Sequence, residues 1–119
     1  MKLEIVGIQD RGVAYRERVL LRALADANLS YYVIIATSYS TPQALSTKMK
    51  ATYWFPPKAV RAGDSITVYT GPGVNSSQIN ANGNTDHIFY WELPSTVWKH
   101  IGECATVFEV NTWKTTPYE

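Results

Sequence analysis

Several residue types that usually mark a specialised protein are scarce in this chain of 119 residues. A single cysteine, Cys104, excludes an internal disulfide, and its strand-like surroundings favour a small buried side chain over a reactive thiol. Only two histidines, His87 and His100, are present, and no His or Cys pair has the close spacing of a zinc site. We therefore expect no bound metal and no cofactor.

The chain also lacks a charge excess of either sign and any long apolar run. Its formal net charge is +1 and its pI about 7.8, whereas a duplex-DNA-binding domain usually has a pI above about 9. Residues 1–8 are too short and too charged for a signal peptide, and a spanning helix needs about 20 apolar residues. The sequence thus has no strong signal for a nucleic-acid partner, and we expect no membrane partner. The cytoplasm is slightly favoured over export without a signal peptide.

What the chain has is aromatic and β-branched residues in short runs. Hydrophobic residues make up 45% of it and aromatic residues 13%, which suits the half-buried surface of a β-sheet. Turn residues such as those of Ala62-Gly63-Asp64 separate the runs, and Asp64 is expected to cap its turn. This spacing predicts one all-β domain over residues 1–119, with no helix longer than about two turns. The predicted strands are residues 3–8, 31–39, 50–55, 65–70, 87–91 and 104–110.

The same runs predict the core. We expect most of residues 31–36 to belong to it, since they lack polar alternation. Trp98 should pack over one end, and the other tryptophans should mostly be core as well. Further predicted core side chains are Tyr53, Phe55, Ile66, Val68 and Val107.

A succession of short motifs resembles the lamin tail domain family. Residues 53–57 read Tyr-Trp-Phe-Pro-Pro, and residues 60–71 contain an Ala-Gly turn that leads into an apolar strand. Val97-Trp98, followed by a polar turn and Gly102-Glu103, is similar to the family's next landmark. The family usually has an Asn-rich turn and an Asp at these last positions, so the match departs there in the turn alone.

The resemblance implies an immunoglobulin-like two-sheet sandwich of about seven strands, and it implies no activity. Bacterial domains of this family look like accessory modules. The resemblance implies that this chain is a bacterial or phage-type member that stands alone. It also bears on residues 17–24. Their Leu, Ala, Arg and Glu content favours a helix, but they resemble the family's opening strand, so we predict a strand.

Residues 71–86 are predicted to form one long loop, because they are rich in Asn, Gly and Ser and poor in apolar residues. Such a segment gains too little from burial to offset its ordering entropy, so we expect it to be mobile and to be a contact surface. The alternative is an idle insertion, which loops tolerate at little cost. The predicted partner-binding residues are Asn75, Ser76, Asn80, Asn82, Asn84, Asp86, His87 and Trp91.

Three functions are compatible with this pattern, and none has a catalytic signature. We expect a non-enzymatic binding or structural module that recognises a protein partner through the polar loop or an edge strand. The alternative is a carbohydrate-binding module that uses exposed Trp or Tyr rings with the loop Asn residues. A small hydrolase built from His87, His100 and Glu103 ranks last, because each histidine is better explained as a rim or solvated residue.

The basic side chains around the predicted strand 50–55 and the turn after it have two interpretations. Charges on an edge strand block aggregation, which we favour, and a cluster of them could also meet an anionic partner. The residues concerned are Lys48, Lys50, Lys58 and Arg61.

Overall fold

The computed structural model describes residues 1–39, 45, 46 and 48–118. Their only helical segment is a short 3-10 turn, Leu29–Tyr31. The prediction of an all-β fold is therefore confirmed, although the described residues form ten strands rather than about seven. They are β1 Leu3–Gln9, β2 Arg18–Ala23, β3 Ala27–Asn28, β4 Tyr32–Ser38, β5 Ala51–Trp54, β6 Ala59–Val60, β7 Ser65–Tyr69, β8 Ser76–Ile79, β9 Thr85–Tyr90 and β10 Glu103–Glu109.

Two sheets pack face to face around one core, and a small third sheet closes one side. The larger has five strands in the order β1-β2-β7-β9-β8, and the smaller has three in the order β10-β4-β5. Strands β3 and β6 form the third sheet. Within the described residues, no helix is long and apolar enough to cross a membrane.

Strand β2 shows why residues 17–24 form a strand despite their helical composition. Val19, Leu21 and Ala23 are buried, whereas Arg22 between them is exposed. The strand pairs with β1 on one side and with β7 on the other. Cross-strand packing on both sides outweighs intrinsic propensity, which is a weak preference. The predicted strand is confirmed.

The core prediction is confirmed, with two of the predicted side chains at the margin of the core rather than inside it. Phe55, Ile66, Val68 and Trp98 are buried, as are four of residues 31–36. Tyr53 and Val107 are only partly buried against this core. Tyr31 belongs to the 3-10 turn and is exposed, and Val33 is partly exposed because alternate residues of β4 face out of the sandwich.

The expectation of one long loop over residues 71–86 is wrong. The segment contains all of β8 and the first two residues of β9, which pair antiparallel as a hairpin. Strand β9 lies parallel to β7, with β8 outside it at the sheet edge. After β7, the chain must therefore run past the position that β9 later occupies, form β8 at the sheet edge, and then return as β9. This path accounts for the length of the segment. The few apolar residues of β8 reflect an edge strand with little to bury.

We predict that Ile34→Ala lowers the free energy of unfolding by about 2–4 kcal/mol, because Ile34 lies at the sandwich centre with 0% exposure. Urea denaturation measures the loss. The matched control is Ile79→Ala, which removes a side chain that is 73% exposed and should change stability by less than about 0.5 kcal/mol. Equal effects at the two positions would contradict the assignment of the core.

Candidate functional site

A network of hydrogen bonds from asparagine residues forms the turn of the β8–β9 hairpin. Asn80 N donates to Asn84 O at 2.7 Å, and Gly83 N donates to Asn80 O at 3.1 Å. Gly83 adopts φ +82°, a left-handed conformation that glycine accommodates without strain. The side-chain oxygen of Asn80 also accepts from the backbone N–H groups of Asn82 and Asn84. The turn is thus held by the side chains that the sequence assigns to partner contact.

Other predicted contact residues are similarly engaged inside the molecule. Asn84 Nδ2 donates to Gly63 O at 2.8 Å, and Asn75 Oδ1 accepts from Tyr90 N at 3.0 Å. Asp86 Oδ1 accepts from Ser65 Oγ and from Asn80 Nδ2, and these hydrogen bonds lower its pKa. Their first task is to shape the hairpin, and contact with a partner through them stays a prediction.

Strand β8 presents a free edge. Because Asn80 and Asn84 form a hydrogen-bonded pair, the antiparallel alternation makes Gln78–Asp86 and Ser76–Ile88 the bonded pairs of the ladder. The backbone N–H and C=O groups of Ser77 and Ile79 consequently point away from β9. Within the described residues, no backbone hydrogen bond outside the ladder involves β8. These groups are available to another strand.

Strand β1, at the opposite edge of the same sheet, is protected against pairing with another strand, unlike β8. Strand β1 has a register irregularity between Ile5 and Gly7, and Glu4 on it lies opposite Arg22 of β2. Irregular pairing and charged side chains are the usual means of blocking edge-to-edge association. Residues 76–79 of β8 contain no charge, no proline and no register shift, so shortness alone limits pairing at this edge.

His87 lies on β9 opposite Ser77 of β8, and its side chain is buried, so its interpretation as a rim residue is wrong. The imidazole is 3% exposed because alternate residues of β9 point into the sandwich. Its Nε2 lies 3.0 Å from Asp64 Oδ2, and its Nδ1 lies 3.0 Å from Ser77 Oγ. Ser77 and Asp64 were not selected from the sequence as partners of His87, since they lie 10 and 23 residues away from it and form no local motif.

Asp64 caps its turn as predicted, and it does more. Its carboxylate accepts from the backbone N–H groups of Arg61 and Thr85, at 2.9 and 3.0 Å, as well as from His87. Burial raises the pKa of Asp64, but the two backbone hydrogen bonds and the contact with His87 together outweigh burial and lower it. The group is therefore held as an ionised acceptor inside the protein.

An exposed aromatic surface covers the outer face of the three-stranded sheet, so the expectation that most tryptophans are core is wrong. Phe108, Val33 and Trp54 face one another across β10, β4 and β5. Trp113 packs edge-on against Trp54 and Tyr31, with ring centroids 5.1 and 5.7 Å apart. We name this set the aromatic surface: Tyr31, Trp54, Phe108 and Trp113, each between 39% and 48% exposed.

Trp91, which the sequence assigns to partner contact, does not belong to the aromatic surface. It is partly buried, packs against Tyr53 and Trp98, and donates from Nε1 to Thr52 O. The buried Trp98 donates from Nε1 to Cys104 O at 2.9 Å. Both indoles therefore serve the packing between the sheets.

The structure does not bring together the residues of the hydrolase hypothesis. His87 lies on the five-stranded sheet, whereas Glu103 lies on the three-stranded one. Glu103 accepts from the backbone N–H of His100 and pairs with Lys50.

Lys48, Lys58 and Arg61 are exposed, so both interpretations of the basic side chains stand. Cys104 is only partly buried, and burial raises the pKa of its thiol.

Among the described residues, no group of three or more His, Cys, Asp or Glu side chains is placed to hold a metal ion. Comparisons with protein-family models, with curated proteins and with solved structures find no match to this chain.

We predict that Asp64→Ala lowers the free energy of unfolding at neutral pH by about 3 kcal/mol, because it leaves buried donors without an acceptor. The pKa of Asp64 is lower in the folded chain than in the unfolded one. Its ionised form therefore stabilises the fold above about pH 4, and this contribution is lost as the pH falls through the folded pKa.

Urea denaturation of the wild-type protein and of Asp64→Ala, from neutral pH to below about pH 4, measures this effect. The difference between their free energies of unfolding should become smaller in acid. Asp26→Ala is the control, since Asp26 is exposed and accepts only one described hydrogen bond, from Ala62 N. A difference in the free energy of unfolding that does not change with pH would contradict the role assigned to the Asp64 carboxylate.

Proposed function

We propose that this protein is a binding module that takes up an extended segment of a protein partner along the free edge of β8. The observation that supports the proposal is the orientation of the Ser77 and Ile79 backbone groups, which point outward from an uncharged edge strand. Addition of a strand would satisfy them with main-chain hydrogen bonds.

Side chains beside the edge favour a partly apolar partner. Val74 is 86% exposed and Ile79 is 73% exposed, and they lie just before β8 and at its end. An extended peptide places alternate side chains on each face, so it can contact Ile79 while its backbone pairs with β8. Specificity would then come from these contacts, and affinity from the shared ladder.

We predict that Ile79→Pro weakens peptide binding about tenfold or more, since proline removes the outward N–H and its ring occupies that position. The ladder with β9 keeps its hydrogen bonds, because the N–H of Ile79 does not take part in it. Random peptides displayed on phage are selected on the wild-type protein, and their affinities for both proteins are measured by calorimetry. Ile79→Ala is the matched control, since it removes the side chain and keeps the N–H.

Two outcomes would contradict strand addition. One is a selection that yields no peptide above background, and the other is equal affinity of the selected peptides for Ile79→Pro and the wild-type protein. A loss in Ile79→Ala as large as that in Ile79→Pro would show that the side chain, rather than the backbone edge, carries binding.

A second candidate function is carbohydrate binding on the aromatic surface. Rings with exposed faces can stack on sugars, and polar groups beside them can hold hydroxyls. Tyr31 also lines a neighbouring cleft of about 260 Å³ that contains Asn28, Glu109 and Asn111. The loop Asn residues do not contribute, because they lie on the hairpin of the other sheet.

For this candidate, we expect Trp54→Ala to abolish detectable binding on a glycan array, because it removes the central ring of the aromatic surface. Tyr15→Ala is the control, since Tyr15 is exposed and lies outside that surface. Retention of glycan binding by Trp54→Ala would exclude the aromatic surface as the site.

A further inference from the structure

A chain of hydrogen bonds links three side chains from the interior to the edge strand: Asp64, His87 and Ser77. Both links measure 3.0 Å. Asp64 and His87 are buried, whereas Ser77 lies on β8 and is exposed. A hydroxyl, an imidazole and a carboxylate in this order meet the geometric requirement for an activated nucleophile.

The environment of Asp64 decides which imidazole nitrogen carries the proton. Its carboxylate is ionised at neutral pH and already accepts two backbone N–H groups, so it can only accept from His87 as well. Nε2 is therefore the N–H donor of the neutral ring, and Nδ1 keeps a lone pair that faces Ser77 Oγ. This is the tautomer that a general base needs in order to take the hydroxyl proton.

The ring is held the opposite way from the familiar serine proteases, in which the carboxylate faces Nδ1 and the serine faces Nε2. The chemistry requires only that one nitrogen be oriented by an acceptor while the other faces the nucleophile. Both nitrogens of an imidazole can serve as the base, so the reversal does not remove the function.

Ser77 borders an open cleft that can admit a small molecule. The cleft has a volume of about 370 Å³, and its walls include Pro56, Pro57 and Phe89. Lys58 also lines it and gives the cleft one cationic side chain. Asn75, Ser76 and Ile88 complete the lining, so the cleft offers both apolar contacts and hydrogen-bonding groups, which suits a small, uncharged ester.

We propose that Ser77 is a nucleophile that accepts the acyl group of a small ester, with His87 as its general base and Asp64 as a positioning residue. Ser77 Oγ forms a bond to the carbonyl carbon while its proton passes to His87 Nδ1. The bond from that carbon to the alcohol oxygen breaks, and the alcohol leaves with this proton. Water, deprotonated by His87, then attacks the acyl carbon, releases the acid and restores the Ser77 hydroxyl.

This inference goes beyond the proposed binding function and opposes the expectation from the sequence that the chain is no enzyme. It concerns the Ser77 side chain, whereas strand addition concerns the backbone at the edge of β8. The reaction is measured without peptide, so either proposal can fail while the other stands.

The test is covalent labelling with a fluorophosphonate, which reacts with activated serines, followed by intact-mass measurement and peptide mapping. We expect one adduct on Ser77 in the wild-type protein and none in Ser77→Ala. Ser95→Ala is the control and should be labelled at the wild-type rate, because Ser95 is exposed and has no described hydrogen bond to a histidine. No adduct on the wild-type protein, or an unchanged adduct in Ser77→Ala, would overturn the proposal.

The relay is tested by the pH dependence of the same reaction. We expect labelling to slow in acid, because a protonated imidazole cannot accept the hydroxyl proton. Asp64→Asn should label about 100-fold more slowly at neutral pH, since loss of a general base or of its orientation costs about this factor or more. Near-UV circular dichroism checks that the variant is folded. A rate in folded Asp64→Asn equal to wild type, or a rate independent of pH, would show that the three side chains are only structural.

Discussion

The buried carboxylate of Asp64 is the interaction on which the five-stranded sheet depends. It receives hydrogen bonds from the turn before β7 and from the start and interior of β9. These bonds join the two strands that run parallel, at the end where Ser65 lies opposite Asp86. A buried charge is costly unless every acceptor site is used, and here the cost is offset by bonds to two separate segments. The carboxylate thus fixes the register from which the hairpin and β8 follow.

A second buried carboxylate, Glu17, fixes the segment that carries the core tryptophan. Its oxygens accept from the backbone N–H groups of Gly12, Val97 and Trp98, at 2.7, 2.9 and 3.1 Å. Glu17 directly precedes β2, so these bonds hold residues 97 and 98 against the start of a central strand. The Trp98 side chain then fills the space between the sheets with 0% exposure. Two acids therefore organise connections that apolar packing alone would leave undefined.

The two surfaces with functional potential lie on different sheets and differ in chemistry. The edge of β8 offers backbone hydrogen-bonding groups, and the cleft beside it contains Ser77. The aromatic surface, on the smaller sheet, offers ring faces that are about half exposed. An exposed apolar face of this kind is characteristic of an interaction site. The sandwich has its core between these surfaces, so each can be altered without changing the other.

The sequence by itself determined the β class, most strand positions and the centre of the core. Alternation of apolar residues in β7 and the β-branched run of β4 are local properties, so they can be recognised without knowledge of neighbours. Residues 17–24 needed the family resemblance as well, because their composition favours a helix. Only the tertiary structure decided that residues 71–86 form a hairpin, that their Asn side chains are used within the turn, and that His87 is buried beside Asp64. Those outcomes depend on which strands become neighbours, and a hydrogen bond between residues 10 to 23 positions apart has no periodic trace in the chain.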